Sequence, residues 1–141
     1  MRTILLLIGI LGLLTSPAQA RHWHHWHHWH HLTHHRVAQW GGGATVAHPS
    51  GCPGRAFCGC GAALRVFGRP VRSLWLAAAW FRFPRSAPAP GTVAVRRHHV
   101  FVLESHVEGN TWIVYDANSG GHATRIHPRS IAGYTIVNPH T

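Results

Sequence analysis

Every strand-like pattern in this chain lies after residue 91, and every helix-like pattern lies before it. A chain ordered this way does not read as alternating βαβ units; it reads as an α+β domain, with helices gathered on one part of an antiparallel sheet. Residues 92–96 alternate in character. Residues 100–103 are continuously apolar, as suits a central strand covered on both faces. Residues 111–117 read as a third strand, and 122–127 and 131–137 as weaker fourth and fifth strands. Upstream, residues 58–67 form a short helical pattern ended by Gly68-Arg69-Pro70, with Gly59 and Gly61 weakening its front. Residues 73–83 read as a second helix, capped by Ser73 and stopped by Pro84. Its Leu74, Trp75, Leu76, Trp80, Phe81 and Phe83 are apolar nearly all round, which predicts burial. The expected architecture is two short N-terminal helices packed on an antiparallel sheet of about five strands.

The first 43 residues contribute nothing to that core. Residues 1–20 have the form of a secretory signal peptide: Arg2, an apolar run from Ile4 to Leu14, and a small-residue cleavage site at Ala18-Gln19-Ala20. The expected location is therefore periplasmic or secreted. Residues 21–40 hold nine His and four Trp, with Trp23, Trp26 and Trp29 spaced by three. Such a tract builds no packed core. Imidazole-dense segments bind zinc, nickel or copper, which makes His24, His25, His27, His28, His30 and His31 candidate metal ligands. The alternative is a disordered, sticky arm, and its Trp stripe also suits a membrane or glycan surface. Gly41-Gly42-Gly43 is a flexible joint, leaving 44–141 as one domain of modest interior.

Thirteen Arg face only Glu104, Glu108 and Asp116, for a net charge of +10. A chain so charged is drawn to polyanions. Export argues against nucleic acid and for anionic envelope polymers, or for peripheral contact with lipid head groups. A monomer is expected.

Three cysteines in an exported chain cannot all pair internally. Cys52 can close a small ring with Cys58 or Cys60, while a Cys58–Cys60 bond would be strained. On a helix, residues two apart point about 200° from each other, so Cys60 faces away from the side that Cys58 presents. A Cys52–Cys60 bridge with Cys58 free is expected; the alternative is a bridged and inert Cys58.

A free thiol opening a helix meets N–H groups and partial positive charge that favour the thiolate and can receive an oxyanion. Further along stand His99, at the head of the strand beginning His99-Val100, and Asp116-Ala117-Asn118, at the end of the next. A two-residue Glu108-Gly109 turn pairs Val107 with Asn110 and puts His99 opposite Asn118, with Asp116 diagonal on the same face. A Gly109-Asn110 turn shifts the pairing by two and keeps this parity; a three-residue loop would reverse it. In this arrangement His99 takes the Cys58 proton, and Asp116 or Asn118 orients the ring. His98 leaves the other face and belongs at the surface. Zinc ligation by Cys58, His99 and Asp116 is the rival use, but no Cys-x-x-Cys or His-Glu-x-x-His spacing supports it.

These pieces, in this order, resemble a CHAP domain, the cysteine/histidine-dependent amidohydrolase/peptidase module of the papain-like superfamily, with NlpC/P60 enzymes as close relatives. The matching segments are Cys58 and its helix, Trp80, Pro90-Gly91-Thr92-Val93-Ala94-Val95, His99-Val100-Phe101-Val102, Val114-Tyr115-Asp116-Ala117-Asn118, and Ile131-Ala132-Gly133-Tyr134. The resemblance implies a papain-like fold, with Cys58 as nucleophile, His99 as base, and Asp116 and Asn118 as orienting or polarising groups. It also implies amide hydrolysis in peptidoglycan through a thioester, with no required cofactor. Three features depart from the family pattern. Asp116 stands where Glu is usual, Cys60 stands where an aromatic is common, and no clear side chain upstream of Cys58 offers a second oxyanion donor. Two other readings fit the same chain: a non-catalytic envelope-binding protein of this fold, and a metal-binding protein acting through its His-rich tail.

Overall fold

The computed structural model describes residues 43–141. The signal-peptide, tail and metal-ligand expectations for residues 1–42 lie outside that range. In chain order the elements are β1 (Ala44–Val46), α1 (Cys58–Phe67), 3-10 turns at Arg72–Leu74 and Ala77–Arg82, β2 (Val93–Arg96), β3 (His99–Glu108), β4 (Thr111–Ser119), a 3-10 turn at Gly120–His122, β5 (Ala123–Ser130) and β6 (Thr135–Val137). The six strands form one sheet in the order β1-β5-β4-β3-β2-β6, with every pair antiparallel. The class is α+β, as the pattern implies.

Helix α1 occupies the expected residues. It ends on Gly68, whose φ of 69° is left-handed and whose N–H donates to the Leu64 carbonyl. Glycine adopts that conformation without a Cβ penalty. The expected second helix is different: two short 3-10 turns are separated by Trp75 and an extended Leu76. Tertiary contacts account for the break. Trp80 is fully buried, and its indole N–H donates to the Leu74 carbonyl at 2.9 Å. An α-helix would direct that carbonyl to the N–H four residues on. The Leu74 and Trp75 carbonyls also press on α1: a Cβ built on Gly59 would lie 2.3 Å from each. Burial is correspondingly partial, with Leu76 and Phe81 exposed while Leu74 and Trp80 are inside.

The sheet also departs from the sequence pattern. Strand β1 was not expected; three residues carry too little periodicity to register. Strand β5 runs on to Ser130 through Pro128. Strand β1 pairs only with Thr124 to Ile126, so β5 is an edge beyond that point and tolerates a proline. The last strand is shorter than expected, because Ala132 and Gly133 turn before it.

The core lies on both faces of the sheet. Val93, Val95, Val100 and Val102 pack with Phe57, Ala62, Ala63 and Trp80 on the α1 side. Ala94, Phe101, Leu103, Trp112 and Val114 pack with Ile131 on the other. This explains the unbroken apolar run at 100–103. The front of α1 lies very close to β4: a Cβ on Gly61 would come within 2.3 Å of the Ala117 Cβ. Gly61→Ala is therefore expected to destabilise the domain. Helix propensity gains up to about 1 kcal/mol, but overpacking typically costs about 1–3 kcal/mol where neither side can yield. Urea unfolding measures the sign. A stabilised G61A domain would show that α1 and β4 can separate freely.

Candidate active site

Cys58 is the first residue of α1. Phe57 stands at the N-cap and supplies no side-chain hydrogen bond, so the opening N–H groups of the helix are uncapped. The first turn closes from the Gly61 N–H to the Phe57 carbonyl at 2.8 Å. Cys52 and Cys60 form a disulfide, and Cys58 is left as a free thiol with 5 % exposure. The bridge ties the His48–Gly54 loop to the first turn of the helix.

His99 opens β3 directly after a two-residue turn, paired with Arg96 across the hairpin. His98 is exposed, as expected, and His99 is half-buried. The β3–β4 hairpin turns at Gly109-Asn110, where Glu108 pairs with Thr111. Two register shifts then follow, each with one extra residue on β3, at Val107 and at Glu104. Together they move the pairing by two, and Val102 faces Tyr115. That is the register a Glu108-Gly109 turn would have produced. Each bulge alone would exchange the faces of the strand; two restore them.

The result is direct contact between imidazole and carboxylate. His99 Nε2 donates to Asp116 Oδ1 at 2.8 Å, and Asp116 is fully buried. The Cys58 side chain is a neighbour that raises the imidazole, although among the described residues no hydrogen bond joins sulfur and ring. With Nε2 turned to the acid, Nδ1 is the nitrogen left for the sulfur.

Asn118 does not join this group. It has a left-handed φ of 59°, and its Oδ1 accepts from His122 Nδ1 at 3.1 Å. The β4–β5 register shifts between Asp116 and Ser119, so the alternation that would align Asn118 with Asp116 ends before it. The expected orienting amide is thus turned toward the following 3-10 turn.

Two residues absent from the sequence reading take its place. His127 Nε2 donates to Asp116 Oδ2 at 3.1 Å, and Arg129 Nη1 donates to the same oxygen. Both stand on β5, two residues apart and on one face. The register sets His127 opposite Val114 and Arg129 opposite Trp112, on the Asp116 side of β4. A His-x-Arg alternation was the available signal, obscured by Pro128 between them.

The electrostatics follow from this packing. Burial works against a charged His99, but Asp116 and Cys58 outweigh it and raise the imidazole from its ordinary 6.5 to about 9. Burial likewise opposes ionisation of Asp116. The hydrogen bond and charge of His99, with Arg129 and His127, still hold it below the usual carboxylate value. A raised histidine stabilises the fold fully below 6.5, and that contribution is lost as pH climbs through about 9. The depressed Asp116 contributes above its ordinary 3.8 and loses that contribution as pH falls through its lowered value. The urea midpoint should therefore decline between pH 6.5 and 9, and His99→Gln should flatten that decline. An alkaline decline unchanged in H99Q would assign it to another group.

Among the described residues, no group of three or more His, Cys, Asp or Glu is arranged to hold a metal ion. A cavity of about 360 Å³ opens beside the C-terminal half of α1, lined by Arg65, Glu104, Pro90 and His140 among others, and does not include the Cys58 site. Compared with protein-family models, with curated proteins and with solved structures, the chain matches none.

Proposed function

We propose that this chain is an exported cysteine hydrolase of the papain-like, CHAP type, cleaving amide bonds in peptidoglycan as an amidase or endopeptidase. One observation carries the reading: the only cysteine outside the disulfide opens a helix beside an imidazole that a buried carboxylate holds from behind. Pairing a nucleophile with a base, and that base with an orienting group, is the arrangement acyl transfer requires.

The steps follow from these atoms. The Cys58 thiolate attacks the amide carbon while His99 holds the thiol proton. The carbonyl oxygen becomes an oxyanion, which the uncapped N–H groups at the start of α1 are placed to receive. The intermediate collapses, the C–N bond breaks, and His99 gives its proton to the leaving amine. A thioester remains. Water attacks it, His99 takes one proton from that water, and the acid product leaves as the Cys58 sulfur departs. Asp116 stays ionised throughout and keeps the ring oriented.

The substrate class rests on charge. With thirteen Arg against three acids, the chain favours anionic envelope material. Among those acids, Asp116 is buried and Glu104 is paired with Arg65. The test is digestion of purified peptidoglycan, with mass analysis for fragments bearing one new amine and one new carboxylate. Release that disappears on alkylating Cys58 supports the assignment; release that survives alkylation removes the mechanism. The 5 % exposure of Cys58 favours one second reading, a non-catalytic envelope binder of the same fold. Binding to peptidoglycan by a protein whose Cys58 resists small alkylating agents would establish that reading instead.

A further inference from the structure

Arg129 is built into the site more firmly than a surface arginine would be. Its Nη1 meets Asp116 Oδ2, and its Nη2 donates to the Tyr134 hydroxyl at 3.0 Å. The guanidinium carbon lies 4.7 Å from the Phe101 ring centre, on the strand that carries His99. Tyr134 meets Phe101 edge-on at 4.7 Å, and Arg96 closes over the Tyr134 ring at 4.1 Å. Arg96 is in turn bonded to the carbonyls of Ala132 and Gly133. Thus the side chain touching the far oxygen of Asp116 is itself fixed on three sides.

We propose that Arg129 is a positioning residue for the Cys58–His99 pair: it clamps Asp116 Oδ2 so that the carboxylate stays ionised and Oδ1 stays turned toward His99. The inference rests on the hydrolase reading and adds a component to that site. Its physical basis is charge balance in a buried place. A fully buried carboxylate needs a cation, since desolvation otherwise drives it to take up a proton. If His99 were its sole cationic partner, moving a proton from His99 to a leaving group would strand the carboxylate. With Arg129 present, the group of Cys58, His99, Asp116 and Arg129 is neutral both before and after the proton moves from sulfur to ring. The other groups on this side are His127 and Arg125 on β5, the latter paired opposite Asp116 but donating to the Gly120 carbonyl, and, through the aromatic stack, Tyr134 and Arg96. Among these, only Arg129 brings a permanent charge into contact with Asp116.

Alkylation of Cys58 by iodoacetamide as a function of pH tests this without any wall substrate. The acid limb of the wild-type profile is the reference, since an ionised Asp116 maintains the imidazolium beside the sulfur. Arg129→Gln and Arg129→Met should move the acid limb upward by about one pH unit, a loss of about tenfold in rate at fixed pH on that limb. Arg129→Lys keeps the charge and should stay within about a third of a unit of wild type, although it loses the Tyr134 bond. A folded R129Q with the wild-type limb overturns the proposal. Failure of both neutral variants to fold also overturns it, by assigning Arg129 to folding rather than to the site. A wild-type Cys58 that titrates like an ordinary exposed thiol brings down the hydrolase reading itself, an outcome distinct from an unshifted limb in R129Q alone.

Discussion

Cys58→Ser is expected to leave the domain folded and to reduce amide hydrolysis by about a thousandfold or more. The two side chains are nearly the same size, and the Cys58 thiol is not part of a disulfide. The fold should therefore register the change within about 1 kcal/mol. The chemistry should not tolerate it. A serine hydroxyl beside this imidazole is far harder to ionise than a thiol. The proposed route uses a thiolate and an imidazolium, and a serine cannot supply the first. His99→Ala should cost about as much, and the double variant little more, because the two act as a unit. The measurement is the initial rate of peptidoglycan fragment release beside circular dichroism of each variant. Equal rates for wild type and C58S would eliminate the thioester route. Loss of rate together with loss of fold would show a structural cysteine.

Asp116→Asn carries the largest expected effect on stability. The side chain is fully buried and stands between His99, His127 and Arg129. Removing its charge leaves the Arg129 guanidinium without its anion in a partly buried position. Breaking a buried pair from one side costs about 3–5 kcal/mol, and the part-exposed arginine argues for the lower figure, about 3 kcal/mol. In a domain near 100 residues that is a fall of about 12–20 °C in Tm. The same change removes the larger of the two partners that raise His99, so its value should fall from about 9 toward the ordinary 6.5. Urea unfolding and imidazole NMR titration measure the two consequences separately. The D116N/R129M double variant should recover part of the stability, since no orphan cation remains, and none of the His99 shift. A D116N domain as stable as wild type, with His99 still near 9, would show that the carboxylate is not what holds the ring.

Much of the site can be traced to local pattern. Cys58, the helix that follows it and the pairing of Cys52 with Cys60 all depend on residues within ten positions of one another. Helical periodicity and side-chain direction act over that distance. His99 and Asp116 come together through one hairpin, and strand parity carries that information along the chain. Even there the route was not legible. The turn forms at Gly109-Asn110, and two bulges in β3 compensate for it. A bulge reflects how a strand twists against its neighbours, which no local motif announces.

The sequence by itself determined the class of the fold, the identity of the free thiol and the residues that could meet it, because each depends on periodicity and short-range geometry. Tertiary structure alone decided three other matters. It broke the expected second helix, because a buried Trp80 and the close face of α1 claimed the carbonyls of Leu74 and Trp75. It turned Asn118 away to His122, where β4 loses register with β5. It also brought His127 and Arg129, from the part of β5 that β1 leaves uncovered, to the back of Asp116. The physical reason is the same in all three. A carbonyl, an amide or a carboxylate takes whichever partner packing brings within hydrogen-bond distance, and a buried one must find some partner.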